Sequence, residues 1–67
     1  MTFKLKIGTK VTDEELINSN TAIKDLLDKL NISSESVVTK KNGDIVVEDE
    51  IINDNDEIQL IRIIYGG

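Results

Sequence analysis

Ile58-Gln59-Leu60-Ile61-Arg62-Ile63-Ile64-Tyr65-Gly66-Gly67 is the stretch on which the reading of this chain turns. From Ile58 to Ile64 apolar residues occupy both alternating faces over most of the run, the pattern of a strand that lies centrally in its sheet or parallel to a neighbour. Tyr65 and two glycines follow with no spacer. A sheet that holds such a strand would project Gly66-Gly67 as a short tether. Just before it, Asp54-Asn55-Asp56 reads as a polar turn in which Asn55 takes the left-handed conformation.

Further back, Val37–Lys40 and Ile45–Val47 flank Lys41-Asn42-Gly43-Asp44. Asn-Gly between β-prone runs predicts a tight hairpin, because both residues tolerate positive φ. Glu48-Asp49-Glu50-Ile51-Ile52 then makes an irregular or single-turn crossover. Ile23, Leu26, Leu27 and Leu30, at i, i+3, i+4 and i+7, predict one amphipathic helix, with Asn20 or Thr21 as its N-cap and Asn31 as its left-handed end. Ile32 would fold back on the core. At the start, Phe3, Leu5 and Ile7 alternate with Thr2, Lys4 and Lys6, a strand with one buried face. Gly8-Thr9 reads as a turn into a weaker second strand, Lys10 to Leu16. These elements predict an α+β domain, a mixed sheet of four to five strands packed on one helix, over residues 1–65, followed by the tail 66–67.

Composition narrows the function. With 67 residues, one small core is all the chain can build, and its stability should be modest. An enclosing substrate cleft is not expected. Cysteine and histidine are absent, which removes thiolate and imidazole nucleophiles and the usual ligands of zinc, copper and haem. No cofactor is expected. Thirteen acidic against eight basic residues give a net charge of −5, and the lysines form no stripe, so nucleic acid is disfavoured as a partner and a basic protein favoured. No apolar run reaches membrane-spanning length, and the start has no signal-peptide character, so a cytoplasmic location is expected.

The order strand, strand, helix, strand, strand, final strand, with Gly-Gly last, resembles ubiquitin and its prokaryotic relatives: the thiamine and molybdopterin sulfur carriers and the small archaeal modifier proteins. The likeness is carried by Thr21-Ala22-Ile23-Lys24-Asp25-Leu26-Leu27, by Lys41-Asn42-Gly43-Asp44-Ile45-Val46 and by the run from Asp54 to Gly67. It implies a β-grasp fold. Two positions depart from the family pattern: Asn55 stands where Asp-Gly-Asp is frequent, and Tyr65 stands where a small residue usually precedes Gly-Gly.

The resemblance further implies that the Gly67 carboxylate is adenylated by an E1-like enzyme that binds the ATP, and is then converted to a thiocarboxylate or joined to a thiol or amine. Gly66 and Tyr65 would be read by the enzyme's channel, where a Cβ on either of the last two residues would obstruct close backbone approach. Later partners would be a sulfur-acceptor synthase or lysines of target proteins. By likeness to ubiquitin, Gln59, Ile61 and Ile63 share the face turned from the helix and form a docking patch. The chain itself would be no enzyme, and a monomer when free. Two rivals remain: a non-covalent β-grasp interaction module working through that face, and a small acidic inhibitor. The other acidic groups carry little. Asp54, Asp56 and Glu57 start like a calcium loop, but Ile58 and Gln59 stand where a ligand and a glycine are needed. Asp13-Glu14-Glu15 reads as a solvated edge, and the sequon Asn31-Ile32-Ser33 as incidental.

Overall fold

The computed structural model describes residues 1–16 and 18–63. Its strands are β1 (Thr2–Ile7), β2 (Lys10–Glu15), β3 (Val37–Lys41), β4 (Asp44–Val46) and β5 (Glu57–Arg62), with one helix, α1 (Ile23–Leu30), and a single 3-10 turn, Ser34–Ser36. They form one five-stranded sheet in the order β2-β1-β5-β3-β4. β5 lies in the middle, parallel to β1 and antiparallel to β3. β5 thus has a neighbour on each edge, the central and parallel placement that its largely apolar sequence predicted.

Side chains on one face of the sheet meet α1. Phe3, Leu5, Val37, Ile58 and Leu60 from the strands and Ile23, Leu26 and Leu27 from the helix form one cluster, with Leu16 and Ile52 added from loops. Ile7, Leu30, Ile32 and Val46 pack on its border. An eight-residue helix is marginal in water on its own, so this apolar stripe is what holds α1 in place. At its end, Asn31 takes the left-handed conformation (φ 58°, ψ 42°), and the Ile32 N–H donates to Leu27 C=O at 2.9 Å, turning Ile32 onto the core.

The start of α1 differs from the sequence-based expectation. The cap position is Ala22, not Asn20 or Thr21. Thr21 donates its hydroxyl to Asn18 C=O (3.1 Å) and Asn18 Oδ1 accepts the Asn20 N–H (3.1 Å), so these side chains fold the loop. The Ala22 N–H is met by the Asp25 carboxylate at 2.9 Å. The next free N–H groups, of Ile23 and Lys24, donate to Glu50 and Glu48 C=O, both at 2.9 Å. Together with an isolated bridge between Ala22 and Ile51, these bonds strap the irregular 48–52 crossover across the head of the helix.

The second hairpin turns at Asn42 (φ 52°) and Gly43 (φ 90°), as Asn-Gly demands. Val47 was expected in its second arm, but β4 stops at Val46: the Val47 carbonyl accepts the Glu50 N–H (3.1 Å) and starts the crossover turn. Asn55 has φ 67°, the left-handed form expected of it.

Candidate functional site

The alternation of β5 buries Ile58 and Leu60 against α1 and turns Gln59 and Ile61 to the opposite face. Gln59 is half-buried between Lys6 of β1 and Lys40 of β3, its register partners. Ile61, beside Val38, is 38% exposed, and Ile63, just past the strand, equally so. A shallow depression runs between Ile7, Gly8, Gln59, Ile61 and Arg62. The Ile63 N–H donates to Ser36 C=O at 2.9 Å, so the 3-10 turn supports the chain beyond the last ladder pair, Val37–Arg62. The outer face also exposes Ile45 and Val47. The tail positions Tyr65, Gly66 and Gly67 lie outside the described residues, as do Ile17 and Ile64.

Side-chain chemistry is sparse elsewhere. Among the described residues no group of three potential metal-ligating side chains converges. Asp13 pairs with Lys4 at 2.9 Å on an exposed surface, and Glu14 accepts the Thr12 hydroxyl at 3.0 Å, so these carboxylates of β2 make local contacts and form no acid–base pair. Among the described residues no helix is long and apolar enough to cross a membrane.

The feature that sequence reasoning missed is Asp56. It is buried, and its carboxylate accepts the Asn53 N–H at 2.7 Å and the Asn42 side-chain amide at 2.9 Å, with Lys41 Nζ at 3.4 Å. Burial alone would raise its pKa. The Asn53 and Asn42 hydrogen bonds and the Lys41 ammonium outweigh that effect and hold the carboxyl below its ordinary value. Lys41 also reaches Glu50 (3.2 Å) and Ile51 C=O (2.8 Å), while Asn42 Oδ1 accepts the Glu57 N–H (2.9 Å). One carboxylate thus ties the second hairpin and the crossover to the entry of β5. It sets the frame from which Gln59, Ile61 and Ile63 project.

A mixed sheet with its last strand in the centre, wrapped on one helix and carrying an outward apolar end, defines a β-grasp protein of the ubiquitin-like class. Residues 4–67 match the ThiS family, and the chain belongs to it. Solved structures agree in fold. SAMP1 from Haloferax volcanii superimposes with a TM-score of 0.75 at 16% identity, covering 100% of both chains. The thiamine biosynthesis protein ThiS from Geobacter metallireducens gives 0.63 at 18% identity, covering 96% of this chain and 99% of that one. A chain in the complex of subunits 1 and 2 of the molybdopterin-converting factor from Helicobacter pylori gives 0.66 at 17% identity, covering 100% of both.

Proposed function

We propose that this protein is a carrier or modifier of the ubiquitin-like kind, not itself an enzyme, whose Gly67 carboxylate is adenylated by an E1-like partner in the cytoplasm. A carboxylate oxygen attacks the α-phosphorus of ATP and pyrophosphate leaves. The acyl-adenylate then loses AMP to sulfide, giving a thiocarboxylate, or to a thiol or amine, giving a conjugate. Every base and metal needed belongs to the partner, which fits a chain without cysteine or histidine. The observation that carries the reading is membership of the ThiS family over residues 4–67 in a chain that places Gly66-Gly67 directly after the central strand region. Gly66 and Tyr65 would enter the partner's channel while Gln59, Ile61 and Ile63 seat the domain. A sulfur-acceptor synthase or target-protein lysines would receive the product; the Helicobacter pylori neighbour, itself solved as a protein–protein complex, supports a protein partner.

Incubation with an E1-like enzyme, ATP and a sulfur source, followed by intact mass measurement, tests this. One terminal oxygen should be replaced by sulfur, and the change should vanish in protein lacking Gly66-Gly67. Activation of the truncated protein would refute the reading. The exposure of Ile61 and Ile63 favours a second reading, a non-covalent interaction module, in which Ile61→Asp abolishes partner binding and tail deletion leaves it unchanged.

A further inference from the structure

Among the described residues β2 is an edge strand, with β1 on one side only. The two-residue turn at Gly8-Thr9 makes Ile7 and Lys10 a hydrogen-bonded pair, and antiparallel alternation extends the same character to Leu5–Thr12 and Phe3–Glu14. The bond from the Leu16 N–H to Met1 C=O, 2.8 Å, continues that parity. The N–H and C=O groups of Val11, Asp13 and Glu15 therefore point away from β1, along the free edge. Beside that edge, β2 and α1 leave a groove of about 250 Å³. Its floor is apolar, made by Phe3, Leu16 and Leu26, and its rim sets Glu14, Glu15 and Asp25 against one cation, Lys29. The groove is smaller than the roughly 300–1,000 Å³ of ordinary small-molecule sites, and suits a single side chain.

We propose that this edge and groove dock an extended segment of a partner protein, which adds as a further strand beside β2. One aliphatic side chain of that segment sits on Phe3, Leu16 and Leu26, and its lysines or arginines face Glu14 and Glu15. Charge decides the occupant: the lining and the edge are net acidic, so a basic strand is favoured on approach and in register. The site uses neither the tail nor the face of Gln59, Ile61 and Ile63. It stands or falls independently of the carrier function, and protein lacking Gly66-Gly67 should bind the segment unchanged.

Titration of ¹⁵N-labelled protein with the acetylated peptide Lys-Thr-Ile-Val-Lys-Arg reads the site directly. Amide shifts are expected along Val11–Leu16 and Leu26–Lys29, with affinity falling as salt rises. The double reversal Glu14→Lys/Glu15→Lys should weaken binding about ten-fold. Asp13→Pro removes the central outward N–H at an edge position that tolerates proline, and should also weaken binding about ten-fold. Should Asp13→Pro fail to fold, the charge reversal alone decides. Shifts confined to Gln59 and Ile61, equal binding of Glu-Thr-Ile-Val-Glu-Glu, or no response at millimolar peptide would overturn the proposal. So would concentration-dependent shifts of the same amides without peptide, which would make a second copy the occupant.

Discussion

Replacing Asp56 by asparagine keeps the shape of the side chain and removes its charge. The new amide oxygen can still accept the Asn53 N–H, now at 2.7 Å. Its NH₂ then faces the NH₂ of Asn42, which cannot flip without giving up the Glu57 N–H that its oxygen holds at 2.9 Å. One hydrogen bond to a charged acceptor is lost, a loss of about 1.5–3 kcal/mol, and a buried donor is left facing a donor. Lys41 limits the damage, because Glu50 and Ile51 C=O still hold its ammonium. Together these give about 2–3 kcal/mol, which in a domain this small lowers Tm by roughly 10–20 °C. Because the folded-state pKa of Asp56 is depressed, its contribution is complete above the unfolded carboxyl value of about 3.9 and disappears as pH falls through the folded one. Urea unfolding followed by far-UV circular dichroism should therefore show a gap between wild type and Asp56→Asn that is flat from about pH 5 to 8 and closes in stronger acid. Asp54→Asn is the control: Asp54 is exposed, meets the Thr2 N–H and its neighbour's amide, and should change stability by less than about 0.5 kcal/mol. A gap for Asp56→Asn below about 0.5 kcal/mol at pH 7, or one that persists undiminished in acid, would refute this account of the hub.

Ile52→Ala should cost about 2–4 kcal/mol by calorimetry although it lies outside every strand, because its side chain is fully buried; Ile51→Ala, on an exposed neighbour, should cost under about 1 kcal/mol. Asn31→Val should lower stability by about 1 kcal/mol and Asn31→Gly should not, since the position sits at φ 58°; chemical denaturation separates them. Removal of Gly66-Gly67 should leave the melting curve unchanged and abolish adenylation, read as pyrophosphate release with the E1-like partner. Ile61→Asp should leave the fold intact, because the residue is 38% exposed on the face away from α1, and should raise the KM of that partner more than it lowers kcat.

The elements were legible in the sequence because each carried its own local signal. Alternation marked β1, the i, i+3, i+4 spacing marked α1, and Asn42-Gly43 and Asn55 marked turns whose positive φ few other residues accept. The largely apolar run of β5 pointed to its central place, and the strand does have a neighbour on each edge, β1 and β3. What escaped were interactions between segments distant in the chain. Nothing local in Asp54-Asn55-Asp56 says which carboxylate is buried; that depends on Lys41 and Asn42 arriving from another hairpin. The N-cap was misplaced for the same reason, because carbonyls from residues 48 and 50 do what a local hydroxyl was expected to do. At the site, period two showed that Gln59, Ile61 and Ile63 share a face, and only the likeness to ubiquitin said that it is the face turned from the helix, whereas the β2–α1 groove depends on where the helix ends relative to the sheet.

The pairing of β1 with β5 also governs when this molecule can fold. The first strand's central partner lies far along the chain: β1 pairs with β5, and the Thr2 N–H donates to an Asp54 oxygen 52 positions on. A nascent chain emerging from the ribosome would carry the first hairpin and α1 with their apolar faces uncovered until β5 clears the exit tunnel. Assembly should thus wait for β5, with a rate set by closure of that long loop, and any truncation that removes β5 should leave the preceding residues as an unfolded chain.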